Sequence, residues 1–113
     1  MNANAMLRGY MARHMKVESF VAHVVNCVKR QLEEFDETSM FFMDFHKNFF
    51  LFYGYVFGNT FPIIMTFSEA EELKAQSPYA LDRYIWNEME ESGISITKST
   101  HYLMTVFLIE KEN

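Results

Sequence analysis

The sequence predicts an α+β fold in which an antiparallel sheet is covered on one face by helices. Three observations point there. Residues 17–35 carry apolar side chains at three- and four-residue spacing. Segments 40–45, 49–57 and 60–67 are rich in aromatic residues and have strand chemistry, and 69–93 returns to helical spacing. With two further strands expected over 94–97 and 100–109, the order reads α–β–β–β–α–β–β. A length of 113 residues fits a single domain, 1–113.

Within 17–35, Val17, Phe20, Val21, Val24, Val25, Val28, Leu32 and Phe35 form one stripe, and Glu18, Lys29, Arg30 and Glu33 lie opposite. Upstream, Met6, Leu7, Tyr10 and Met11 keep a helical spacing that Gly9 interrupts. Met1, Met6, Met11 and Met15 are four candidate translation starts, so residues 1–15 read as a flexible or extra N-terminal segment. No apolar run there suits a signal peptide, and the expectation is a cytoplasmic protein.

Asp36-Glu37-Thr38-Ser39 closes the first helix, and His46-Lys47-Asn48 is a polar turn. Gly58-Asn59 is a two-residue hairpin signal, and Pro62 favours an edge position for the third strand. Ser68 and Glu71 have capping-box spacing for a helix over 69–76. Ser77-Pro78 restarts it, Leu81, Tyr84, Ile85 and Met89 mark a buried stripe, and Gly93 stops it. Residues 48–68 hold no charge over nearly a membrane-spanning length. Gly54, Gly58, Asn59, Thr60 and Pro62 at their centre favour a buried hairpin, so no membrane span is expected.

Aromatic residues make up 17% of the chain, and ten of twelve Phe fall between Phe35 and Phe67. A domain this small buries only about two thirds of its unfolded surface. The excess calls for a second apolar surface. In 49–57 the alternation separates Phe50, Phe52, Gly54 and Val56 from Phe49, Leu51, Tyr53, Tyr55 and Phe57, and both sets are apolar. The first set is expected to face the core, with Gly54 admitting a helix backbone. The second faces away from the helices, beside Met40, Phe42, Asp44 and His46, Thr60, Ile64 and Thr66, and a set from the last strand: His101, Leu103, Thr105 and Phe107. Leu51, Tyr53, Tyr55, Phe57 and Ile64 are the expected dimer or partner surface.

Net charge is −5, divided between +3 over residues 1–17 and −8 over the remainder. An acidic body argues against direct nucleic-acid binding. Residues 69–91 alone carry −5. Glu88, Glu90 and Glu91 sit near a helix C-terminus, where the helix dipole prefers cations. They are candidates for docking on a basic partner site, including one that otherwise holds nucleic acid.

Catalytic signatures are sparse. Asp44 and His46 share one strand face, and His101 was a third candidate for a metal or acid–base site. Cys27 lacks any metal-ligand spacing and reads, beside His23, as a partly buried core residue. No cofactor and no metal are expected. The element order resembles that of small acidic secretion chaperones, which dimerise and hold an unfolded client; their closing helix is missing from this reading. The expectation is a non-enzymatic binding or adaptor module, homodimeric through its aromatic sheet face and engaging another protein. An acidic inhibitor acting through helix 69–91 is the alternative, and a small enzyme or metal site around Asp44 and His46 is the second alternative.

Overall fold

The computed structural model describes the backbone of residues 3–95 and 100–112 and the side chains of 5–95 and 100–107. Its order is α1 (Ala3–His14), α2 (Val17–Phe35), β1 (Met40–Phe45), β2 (Phe49–Val56), β3 (Asn59–Thr66), α3 (Phe67–Gln76), α4 (Ala80–Glu91) and α5 (His101–Glu112). The fold is α+β, but the order is α–α–β–β–β–α–α–α, which overturns the expected α–β–β–β–α–β–β. The resemblance to secretion chaperones rested on that expected order and carries no further argument.

The largest correction lies at the C-terminal end. The strand expected over 100–109 is helix α5. The Thr100 hydroxyl accepts the Leu103 N–H at 3.2 Å, so it caps the first turn. Leu103 and Val106 then fall three apart on the buried side, while His101, Met104 and Phe107 face solvent. The β-branched residues suggested a strand, but burial of the 103/106 pair selects the helix. The other expected strand, 94–97, lies partly outside the described residues. Its first residue, Ile94, is buried and in no strand.

β1, β2 and β3 form an antiparallel sheet in that order, so β2 is central. Phe50, Phe52 and Val56 of β2 and Phe61, Ile63 and Met65 of β3 join the α2 stripe and Leu81, Ile85 and Met89 of α4 in one core. The uncharged stretch 48–68 is this hairpin. Among the described residues no helix is long and apolar enough to cross a membrane.

Gly54 faces the core, but the neighbour it admits is β1 and not a helix. A Cβ there would collide with the Met40 carbonyl oxygen and stand 3.1 Å from the Phe41 ring. Strand pairing at Phe41↔Gly54 therefore depends on the missing side chain. Gly54→Ala is expected to lower the free energy of unfolding by about 2 kcal/mol in a urea titration. An unchanged midpoint would show that β1 has room to shift.

The β2–β3 turn lies one residue earlier than expected, at Phe57-Gly58, with Val56 paired to Asn59. Both turn residues have positive φ, 51° and 79°, as a two-residue turn matched to strand twist requires. For Phe57 that conformation is strained. The Asp36 carboxylate accepts the Phe57 N–H at 2.9 Å and holds it there. α3 likewise begins earlier: Thr66 and Glu69, not Ser68 and Glu71, form the capping box. α4 closes at Gly93, where φ is +92° and the Ile94 N–H returns to the Met89 carbonyl.

The Phe57 N–H, then the hydroxyl and N–H of Thr38, hold the Asp36 carboxyl below its usual 3.8. Because the folded value is depressed, this stabilisation is fully present above the usual value and lost as pH falls through the folded one. Asp36→Ala should therefore lose stability less steeply than the parent chain as pH drops through the carboxylate range. Parallel stability–pH curves would contradict the role given to Asp36.

Candidate functional site

The helices pack on one side of the sheet, so among the described residues the other side is bare. Odd residues of β2 and even residues of β1 and β3 point there, in the register Met40↔Tyr55↔Thr60, Phe42↔Tyr53↔Pro62 and Asp44↔Leu51↔Ile64. Ile64 is 65% exposed, Met40 56%, Phe42 48% and Tyr55 45%. Phe42 and Tyr53 stack with ring centroids 5.3 Å apart. Met40, Phe42, Tyr53, Tyr55, Thr60 and Pro62 line a shallow groove of about 330 Å³. Of the expected surface residues, Tyr53, Tyr55 and Ile64 lie in this face, Leu51 is half-buried within it, and Phe57 stands exposed at the adjoining turn.

The other sequence candidates disperse. Tyr53 donates to Asp44 at 3.4 Å, and His46 stacks on Phe49 at 4.5 Å. His101 belongs to α5 and lines a cleft with α1 and α2, so it does not join Asp44 and His46. Among the described residues no group of three or more His, Cys, Asp or Glu side chains could hold a metal. At the end of α4, Glu90 and Glu91 are exposed. Glu88 is half-buried and accepts from Tyr84, which raises the pKa of that phenol. The other charged residues of α4, Asp82 and Arg83, are buried and leave the acidic surface altogether.

What those two do was missed in the sequence. Asp82, fully buried, accepts from Arg8 Nη1 at 2.5 Å, and Arg8 is itself only 4% exposed. Arg8 also donates to the Pro78 carbonyl at 3.2 Å and to Cys27 Sγ at 3.4 Å, and it lies over the Tyr79 ring. The second oxygen of Asp82 accepts from Tyr102 at 2.6 Å, and the Trp86 indole donates to the Tyr102 oxygen at 3.2 Å. One polar chain thus joins α1, α2, α4 and α5. Arg83 adds a second tie, donating to the Val106 carbonyl and Ser77 Oγ, both at 2.8 Å.

Burial opposes the Arg8 charge, but Asp82 outweighs it and holds the guanidinium above its ordinary range. Burial, then the Asp82 charge, pushes the Tyr102 phenol well up. Burial likewise raises the Cys27 thiol against the pull of Arg8, and lowers the His23 imidazole with help from Arg8. Cys27 Sγ and His23 Nε2 lie 3.7 Å apart. Both directions favour the neutral thiol and neutral imidazole over a thiolate–imidazolium pair. One hint of Arg8 was present in the sequence: a charge set among Met6, Leu7, Tyr10 and Met11 on a short helix. Asp82 falls at helical spacing to Ile85, Trp86 and Met89, which is a core position.

Comparison with protein-family models, with curated proteins and with solved structures finds no match to this chain. The functional reading therefore rests on the surfaces themselves.

Removing one partner of a buried ion pair strands the other charge. Arg8→Met or Asp82→Leu should each cost about 3–5 kcal/mol of stability. The double variant Arg8→Met/Asp82→Leu should recover much of that loss. Additive losses in urea unfolding would show that the two groups do not act as a pair.

Proposed function

We propose that this protein is a non-enzymatic binding module that works as a homodimer, with the bare sheet face as its interface. The observation that supports this reading is the continuous apolar row Met40, Phe42, Tyr53, Tyr55, Pro62 and Ile64, which no helix covers among the described residues. Contiguous apolar patches of this kind mark interaction sites in soluble proteins. Asp44 is the one ionisable carboxylate or amine in the registered face, at one end beside Tyr53. Nothing else there selects a charged partner, whereas a second copy offers the same aromatic and aliphatic groups. The tyrosines suit such a junction because each buries a ring and keeps its hydroxyl at the wet margin.

The alternative reading, docking of a basic partner on the end of α4, is supported by the exposure of Glu90 and Glu91, with Glu88 partly engaged by Tyr84. The two readings use different surfaces and separate by mutation.

In light scattering on a sizing column, the native chain should run near twice 13.4 kDa. Ile64→Lys and Tyr55→Lys should each run near 13.4 kDa with the same circular dichroism spectrum, since both residues are exposed, and with a thermal melt that no longer depends on protein concentration. Reversing Glu90 and Glu91 to Lys should leave the dimer intact. A native monomer at every concentration would overturn the proposal, as would dimeric lysine variants.

A further inference from the structure

A cleft of about 280 Å³ opens between α1, α2 and α5, remote in chemistry from the apolar sheet face. Its polar lining is Arg8, Arg30, His23 and His101, joined by Cys27, Tyr79, Tyr102 and Thr105, and among the described residues no carboxylate lines it. On a chain of net charge −5, a cavity whose described lining holds two arginines, two histidines and no acid is a local reversal of sign. Leu7 and Met11 supply an apolar wall.

We infer that this cleft binds a small organic anion, a carboxylate or phosphate head carried on an apolar body. Arg30 is the group for the head. It is exposed at the cleft, and among the described residues no carboxylate pairs with it. Arg8 is different: Asp82 neutralises it from behind, and its Nη2 faces the cleft through the thiol of Cys27, a weak acceptor at 3.4 Å. An anionic oxygen is a far stronger acceptor for a guanidinium than a thiol is. Beside the effect of burial, Arg8 and Arg30 both act on His23 and Cys27 in the direction that removes a proton, and Asp82, behind Arg8, acts the other way. The volume sits at the small end of ligand sites and the lining mixes apolar walls with a few convergent polar groups. Leu7 and Met11 then receive the body of the ligand while Arg30 holds its head.

This inference is independent of the sheet-face dimer, because none of the cleft residues lies in the sheet. The chain also contains its own reporters. Trp86, the single tryptophan, donates to Tyr102 in the cleft wall, and Cys27, the single cysteine, lines the cleft. The full chain is titrated with sodium octanoate, with mono-octyl phosphate and, as the uncharged counterpart, with 1-octanol. Trp86 fluorescence and the rate of Cys27 alkylation by iodoacetamide are followed.

At least one of the two anions should give a saturable fluorescence change and slow the alkylation, and 1-octanol should bind at least about tenfold more weakly, the loss of one charge-assisted contact. The better of the two identifies the head group as carboxylate or phosphate. Arg30→Gln should weaken that anion by about tenfold and leave the thermal melt unchanged. Equal binding of 1-octanol, an anion affinity indifferent to Arg30→Gln, or no saturable response to either anion would each overturn the inference.

Discussion

Strand β2 is apolar on both faces, and the described residues of the chain cover only one of them. With Phe50, Phe52 and Val56 on one side and Leu51, Tyr53 and Tyr55 on the other, any three-stranded sheet built around it has two surfaces to bury. The α2 stripe and the buried residues of α4 close the first. The hydrophobic effect acts on area, whichever chain supplies the cover. The other surface is the physical reason to look beyond the monomer, and it sets the functional reading.

The helical side is not held by apolar contact alone. Arg8 and Asp82 lie 74 residues apart in sequence and meet where both are buried. Each charge is tolerable there because the other is present and because Pro78, Cys27 and Tyr102 add further hydrogen bonds. The pair therefore specifies how α1 lies against α4, and Tyr102 extends that specification to α5. The same arrangement leaves the cleft beside Arg8 with a positive lining, because Asp82 is spent inward while Arg30 stands at the opening. Packing order and surface chemistry on this side come from one ion pair.

Local chemistry was legible in the sequence wherever periodicity was long and one-sided. The α2 stripe and the division of β2 into core residues and Tyr53/Tyr55 are of this kind. Signals of one or two residues were legible only approximately. Phe57-Gly58 rather than Gly58-Asn59 makes the turn, because Asp36 supports a positive φ at a phenylalanine. Thr66 and Glu69 cap α3 in place of the neighbouring Ser68 and Glu71. The stretch after 100 was misread because its β-branched residues favour strands locally, whereas the burial of Leu103 and Val106 against the other helices is a tertiary effect. Arg8 with Asp82 could not be paired from sequence at all, since nothing local to either residue names the other.

The central claim is that the sheet face is closed by a second copy of the chain. The most direct measurement is an isotope-filtered nuclear Overhauser experiment on an equimolar mixture of labelled and unlabelled protein. The account predicts intermolecular contacts from the Met40 and Ile64 methyl groups to the rings of Phe42, Tyr53 and Tyr55. Intermolecular contacts confined to the helical side, or none at concentrations where the native mass is that of a dimer, would contradict it.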